Sequence, residues 1–538
     1  MEVKVVNKEK LYIFDTTLRD GAQTHGVDFN VDEKKIIANK LDLLGVDYIE
    51  GGWPGANATD TAFFNEKLKF KNASFTAFGM TKKAGRSAEN DPGLASLINT
   101  SATSICVVGK SWDFHVELAL EIKLEENLEN INQSIDFIVK NNKEALFDAE
   151  HFFDGFKANK EYALKCLQAA LDAGARWIVL CDTNGGTLPH EVTEIIAEAI
   201  KVIPGEKLGI HAHNDTGNAV ANSLAAIHAG VRQVQGTING LGERCGNANL
   251  VTLIPTLLLK PYFKDNFELQ ISKDGLKLLT DLSRLQDEIL NRASNKTAPY
   301  VGASAFAHKG GLHVSAVNKD PKTYEHIDPS IVGNQRQIVI SEQSGKSNII
   351  AKLKSAGIEL NEDDQSIQKI LDRVKEREFT GYTYDGADAS FELLVKKVLG
   401  KFTEFFDTKS FKINIENSGS EGSTLSKAEV IFLIGRTEVS GSGEGNGPIN
   451  ALDNAIRNSF ESSGYASYVK DLNLIDYKVR ILNTGTDAVT RVSIESIDKN
   501  GKSWFTVGVS DNIIEASFKA LIDSVEYKLM KDQAKPII

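Results

Sequence analysis

The runs LGIHAHND at residues 208–215 and QVQGTINGLGERCGNANL at residues 233–250 decide how this 538-residue chain is read. His211 and His213 stand two residues apart in an apolar run, so the period of a strand turns both imidazoles to one face. That is how a pair of metal ligands is presented. Two buried histidines satisfied by backbone groups would share the spacing. The second run favours the ligand reading. It is a strand entering a loop with Gly236, Gly240, Gly242 and Gly246 around Glu243, Arg244 and Asn247. So much glycine among oriented polar groups is hard to keep ordered unless something binds there.

Upstream, short apolar runs alternate with amphipathic stretches from Leu11 to Lys260, the pattern of βα units and a parallel sheet. The strand candidates are LYIFDTT, DYIEGG, SFTAFG, SICVVG, EALFDAE, WIVLCDT, LGIHAH and QVQGTI. A helical pattern follows each, at residues 32–44, 59–68, 92–98, 125–140, 160–173, 191–202, 218–229 and 248–259. Eight such units in about 250 residues predict a (β/α)8 TIM barrel, with a doubly wound open sheet as the alternative. The barrel is preferred because chemically able residues recur at strand C-termini, where barrels build their sites. These are Arg19, Asp20 and Gln23 after the first strand and Trp53 after the second. Glu150 and His151 end the fifth, Asp182 and Thr183 the sixth, and Asn247 follows the eighth. In a closed barrel Asp20 becomes the carboxylate partner of His211 and His213, with Asn247 as a fourth donor. This mixed N/O set suits Zn²⁺ or Mn²⁺ and does not exclude Mg²⁺.

The net charge of −12 and the lack of a basic stripe with interleaved aromatics argue against nucleic acid as a partner. No apolar run approaches the ~18 residues of a membrane span, and MEVKVVNKEK lacks the apolar core of a signal peptide. The expectation is a soluble cytoplasmic protein. Cys106, Cys166, Cys181 and Cys245 show no CxxC spacing, so neither a disulfide framework nor a thiolate zinc site is indicated. Cys245 in the Gly-rich loop could act as a nucleophile, but with no dedicated base in view it reads as a small packing residue.

Beyond the barrel, residues 276–290 read as a long helix, followed by a segment dense in Gly and turn residues with His308, His313, Tyr324 and His326. That segment is expected to fold over the barrel mouth and add an acid/base group. Residues 361–377 and 390–399 form two further helical patterns. From about Phe411 the texture becomes strand-rich, with FKINIEN, AEVIFLIG, YKVRILN and VTRVSIESI. Ile449, Ala451 and Ala455 recur as Ile514, Ala516 and Ala520, 65 residues on, and a Gly-containing strand precedes a helix in each copy. This internal repeat predicts a pseudo-symmetric α+β domain. The loop GSGEGNGP lacks the Lys and Ser/Thr of a P-loop and reads as a turn. The expected division is a barrel at 1–268, a linker subdomain at 269–405 and a C-terminal domain at 406–538.

LRDGAQ at residues 18–23, HAHND at 211–215 and GLGERCGNA at 240–248 together resemble the 2-isopropylmalate, homocitrate and citramalate synthase family. IEGGWPG at 49–55 and FDAEHFFDGFKAN at 147–159 look most like its citramalate-forming branch. The resemblance implies condensation of acetyl-CoA with a 2-oxo acid, pyruvate for that branch, with hydrolysis of the thioester. It implies Asp20, His211 and His213 as metal ligands with Asn247 close by, Arg19 on the keto oxygen, Thr183 on the substrate carboxylate and Glu150 in the catalytic shell. His313 and Tyr324 match positions supplied from beyond the barrel, and His313 or Glu150 would take the methyl proton. Ser315 departs from the Asp that relatives often carry there. The C-terminal repeat resembles the family's regulatory domain, which implies a homodimer inhibited by an amino acid, isoleucine first. Trp53, if it projects into the mouth, would leave room for a methyl group but not an isopropyl group. A metal-dependent CoA-ester lyase of the same barrel type, and a non-catalytic amino-acid sensor, are the other classes in play.

Overall fold

The computed structural model describes residues 8–290, 292–308, 310–338, 349–350, 353–354, 358, 365–384, 387–417, 424–482 and 488–537. They fall into two compact units, Met1–Phe306 with Ile327–Arg336, and Ala307–His326 with Gln337–Ile538.

The first unit is built on a closed barrel of eight parallel strands. These are β1 (Tyr12–Asp15), β2 (Tyr48–Glu50), β3 (Ser74–Met80), β4 (Ser104–Lys110), β5 (Glu144–Glu150), β6 (Trp177–Asp182), β7 (Leu208–Ala212) and β8 (Gln233–Gly236). The barrel closes where Tyr12 to Asp15 lie in register with Gln233 to Gly236. Period 2 divides each strand between two cores. Phe14, Tyr48, Phe78, Cys106, Leu146, Trp177, Val179 and Cys181 fill the interior, a packed core and not a pore. Their neighbours Ile13, Ile49, Ala77, Ile105, Phe147 and Ile178 face the helices.

Those helices are α1 (Val31–Leu44), α2 (Ala58–Asn65), α3 (Pro92–Ile98), α4 (Leu124–Lys140), α5 (Lys160–Asp172), α6 (Pro189–Ala199), α7 (Ala219–Ala229) and α8 (Leu250–Leu259). Local chemistry sets their starts. Asn30 caps α1 by accepting from Glu33 N at 3.0 Å, while Glu33 returns a bond to Asn30 N at 2.8 Å. Asp91 caps α3, whose first residue is Pro92. Two features escaped the sequence pattern. Glu9–Lys10 pairs with Phe267–Glu268 in a two-stranded ribbon, and the expected helix at 276–290 is two pieces, Lys273–Leu276 and Leu279–Ile289.

In the second unit, helices Gln365–Phe379 and Asp388–Val398 occupy the two predicted helical regions; positions 361–364 lie outside the described residues. Two antiparallel three-stranded sheets follow, β9 (Asp407–Asn417), β10 (Thr424–Ile434), β11 (Thr437–Gly445) and β12 (Asn473–Ile481), β13 (Thr490–Ile497), β14 (Ser503–Ser510). Their helices are Pro448–Phe460 and Ile513–Lys531. The 65-residue repeat is therefore a repeat of β3α units. One expectation fails here: GSGEGNGP is not a turn, because its first five residues belong to β11. Gly443 lies so close to its helix that a Cβ would sit 2.4 Å from Ala455 N and 2.5 Å from Ala451 O. At the equivalent place in the second copy, a Cβ on Gly508 would sit 2.0 Å from Ala516 O. Glycine serves the seam between strand and helix, not a reversal of the chain.

Gly508→Ala should therefore lower stability by about 3 kcal/mol or more, since backbone cannot yield as a side chain does. Gly447→Ala, where a Cβ meets nothing within 4 Å, should cost about 1 kcal/mol or less as a helix-cap change. Urea titrations followed by circular dichroism would show the difference, and equal midpoints for the two variants would refute the packing account.

Candidate metal centre and active site

The strand ends converge as the barrel requires. After β1 the chain turns back tightly, Asp20 N donating to Thr16 O at 2.9 Å. Asp15 braces the turn by accepting from Thr17 N at 2.9 Å and Thr17 Oγ1 at 2.8 Å. Asp20 is thereby delivered, buried, to the two histidines. His211 Nε2 lies 3.1 Å from Asp20 Oδ2 and 3.3 Å from His213 Nε2, and His213 Nε2 lies 4.0 Å from the same carboxylate oxygen. Among the described residues these three form the one group of His, Cys, Asp and Glu side chains arranged to hold a metal ion.

Hydrogen bonding fixes which atoms face the centre. Gln235 Nε2 donates to Asp148 Oδ1 at 3.3 Å, which turns Gln235 Oε1 towards His211 Nδ1 at 2.8 Å. His211 then carries a proton on Nδ1, and its Nε2 faces Asp20; burial would lower its pKa, but the Asp20 carboxylate raises it. Burial, then the neighbouring His211, lowers His213 to about 4, so that this ring is neutral near pH 7. Burial alone would raise Asp20, yet the Arg19 guanidinium and His211 hold its carboxyl well below the usual range. Two imidazole Nε2 atoms and a carboxylate oxygen thus converge on one buried point, an arrangement that a cation would fit. Asn247 fits the same demand. Its Nδ2 donates to Leu241 O at 3.0 Å, and its buried Oδ1 has no protein partner among the described residues. His213 and Asn247 are joined by a backbone bridge. Gly242 keeps that side chain in place, since a Cβ there would lie 2.2 Å from Asn247 Nδ2.

Arg19 is not the surface partner of Asp20 that its sequence neighbourhood suggests when taken alone. Its side chain is 12% exposed, its Nε donates to Glu50 Oε2 at 2.8 Å, and its guanidinium lies 4.0 Å from the Phe78 ring centroid. Trp53 packs edge-on against Phe78, centroids 5.7 Å apart. Glu150 forms an ion pair with Lys110, and both line, with Trp53, a cavity of about 690 Å³. Thr183 is half-buried; its Oγ1 accepts from His151 N at 2.9 Å and its carbonyl from Arg244 Nη2 at 2.7 Å. His313 and Tyr324 belong to the second unit, where their rings stack with centroids 4.2 Å apart. Beside them His308 Nε2 meets the buried Glu325 at 3.0 Å.

Asp182 does not join the strand-end cluster. Its strand turns Trp177, Val179 and Cys181 inward, so Asp182 points outward, where it accepts from Thr187 N at 3.3 Å and Thr187 Oγ1 at 2.8 Å. Conversely, Glu50, Asp148 and Gln235 are site residues that the sequence pattern left unnoticed. Alternation carried the signal: Leu146, Asp148 and Glu150 share one face of β5, as Gln233 and Gln235 do in β8.

The fold and the centre define a class, a (β/α)8 barrel with a possible metal site at its strand C-termini. Residues 10–278 match the HMGL-like family, 300–380 the homocitrate synthase post-HMGL domain-like family, and 385–529 the LeuA allosteric (dimerisation) domain. The (R)-citramalate synthase of Aquifex aeolicus is 49% identical over 534 residues, 98% of this chain and 100% of that protein. That of Geobacter sulfurreducens is 49% identical, covering 97% of this chain and 98% of its own length, and that of Synechocystis is 44% identical. The chain belongs to the (R)-citramalate synthase family. Among the described residues no helix is long and apolar enough to cross a membrane.

If Gln235 sets the His211 tautomer, Gln235→Leu should weaken Zn²⁺ or Mn²⁺ binding by about 10- to 100-fold in a folded protein. Titration with a competing chelator measures this, and an unchanged metal affinity would remove Gln235 from the centre.

Proposed function

We propose that the protein condenses acetyl-CoA with pyruvate and hydrolyses the resulting thioester, giving (R)-citramalate and CoA. The reading is carried by the end-to-end likeness to enzymes of that name in a chain that keeps Asp20, His211 and His213 assembled. A divalent ion held by these residues and Asn247, whether Mn²⁺, Zn²⁺ or Mg²⁺, supplies Lewis acidity to the 2-oxo acid. The Thr183 hydroxyl donates a hydrogen bond to the substrate carboxylate. Arg19, preoriented by Glu50, stabilises the negative charge that grows on the ketone oxygen as the new C–C bond forms. The methyl group of acetyl-CoA must first lose a proton, and Glu150 or His313, with Tyr324 stacked on it, takes it. Water then cleaves the thioester, releasing CoA and leaving the product's second carboxylate.

Trp53 sets the size limit. Its ring leaves space for the methyl group of pyruvate, and one added methylene is worth ~1 to 3 kcal/mol in such a pocket. The catalytic barrel is assigned to 1–268, a linker contributing His313 and Tyr324 to 269–405, and a regulatory domain to 406–538. The protein acts in the cytoplasm as a homodimer, and isoleucine, towards which citramalate leads, is its feedback inhibitor through that last domain.

Turnover with pyruvate, 2-oxobutyrate, 2-oxoisovalerate and 2-oxoglutarate, read as CoA thiol release, should favour pyruvate. Preference for either of the last two would overturn the substrate assignment, and release of acetyl-CoA from a CoA ester would point to a lyase. Trp53→Ala should raise the relative kcat/KM for 2-oxoisovalerate by about tenfold, and an unaltered profile would refute the steric account. Isoleucine should inhibit at lower concentration than leucine or valine, and the reverse order would exclude it as the effector.

A further inference from the structure

Two helices of the barrel, α1 and α2, each send a buried charge to the loops that follow β1 and β2. Lys34, near the start of α1, is only 3% exposed, and its ammonium donates to Leu18 O at 2.9 Å, to Gly51 O at 2.9 Å and to the Asp60 carboxylate. All three of its N–H groups are thereby engaged. Leu18 is the residue before Arg19, and Gly51 stands two before Trp53. Asp60, in the first turn of α2, completes the link: its Oδ2 accepts from Trp53 N at 2.8 Å and from Asn57 Nδ2 at 2.9 Å. Gly52 permits this approach, with φ at +139° and room for no Cβ, which would lie 2.4 Å from Asp60 Cγ.

The same two loops are joined a second time through side chains. Glu50 Oε2 accepts from Arg19 Nε at 2.8 Å and from Thr16 Oγ1 at 2.5 Å. The Phe78 ring carries the Arg19 guanidinium at 4.0 Å and Trp53 at 5.7 Å. Arg19 and Trp53 therefore rest on one ring, and the backbone on either side of them is tied by one ammonium. Among the described residues, neither Lys34 nor Asp60 bonds to Asp20, His211 or His213. Attraction within a buried ion pair is largely offset by the cost of taking both charges out of water, so its fixed geometry, more than added stability, is the feature to explain.

We propose that Lys34 and Asp60 are positioning residues that fix the Arg19–Asp20 turn and Trp53 relative to each other, so that one buried ion pair governs both the metal geometry and the size of 2-oxo acid admitted. The effect on the acid rests on the condensation reading; the effect on the metal does not. Neither charge has a simple substitute. In Asp60→Asn, whichever way the amide lies, its NH2 group faces either the Lys34 ammonium or the Trp53 N–H, donor against donor. In Lys34→Gln, a shorter side chain offers two donors to three acceptors. Either change frees the loops after β1 and β2 to move independently.

Mn²⁺ binding by the full-length protein, read by competition with a chelator, tests this without any substrate. Lys34→Gln and Asp60→Asn should each weaken Mn²⁺ binding about tenfold, although neither residue touches a ligand. In the same variants kcat/KM for 2-oxobutyrate relative to pyruvate should rise about tenfold, the scale of one methylene in a pocket. Circular dichroism with urea reports the fold. Variants that are less stable yet bind Mn²⁺ as the wild type does would make the pair a structural contact only and overturn the proposal, as would a changed acid profile with unaltered Mn²⁺ affinity. If neither buried variant folds, Asn57→Ala decides: at an exposed position it removes one donor to Asp60, and it should move both readouts the same way, no shift in either overturning the proposal. Weakened Mn²⁺ binding in variants of a protein that does not turn over pyruvate would support the positioning role and overturn the substrate assignment instead.

Discussion

Three potential metal-binding side chains converging on one buried point are the constraint on which the barrel unit is organised. Asp20, His211 and His213 come from opposite ends of the barrel sequence, and only closure of β1 onto β8 puts them together. Each also needs an anchor facing away from the centre. His211 has Gln235 and behind it Asp148, while Asp20 has the Thr16 to Thr17 turn pinned by Asp15. His213 Nδ1 has no such acceptor among the described residues, so its orientation depends on packing and on the bridge to Asn247. The interior polar groups thus orient the three convergent side chains and are not a store of independent stabilising bonds. Burial raises both Glu50 and Asp148, and the nearby cationic Arg19 counters it in each. A buried charge of this kind is tolerated where its partners are fixed.

Most of this architecture was legible because the two periodicities are far apart. Runs such as SICVVG and WIVLCD show nothing but strand, and the intervening patterns at 92–98 or 125–140 repeat every three to four residues, so the eight-fold alternation reads directly. The metal centre was legible for a related reason. HxH on a strand fixes relative direction, and a strand C-terminus in a barrel fixes place. The anchors were harder to see. Gln235 and Asp148 are ordinary polar residues within strands, and their role depends on facing each other across a closed sheet, which no local pattern encodes.

Two misreadings have clear physical origins. Asp182 ends a strand and so reads as part of the mouth, but parity along WIVLCD sends it outward to Thr187. The run GSGEGNGP reads as a turn because glycine commonly marks one, yet it continues a strand. The alternative use of glycine, close approach of two backbones, leaves the same letters in the sequence and is separable only by its neighbours. Here the clue was the repeat itself, since Gly508 occupies the place of Gly443 in a segment, SWFTVGVS, that alternates as a strand.

That pair of glycines also determines how the C-terminal units respond to force. Where most helices rest on a sheet through side chains that change rotamer, these two rest main chain on main chain, within 3 Å of where a Cβ would stand. Such a seam has no soft torsions to absorb a displacement. A helix displaced at such a seam must carry its strand with it or open the contact.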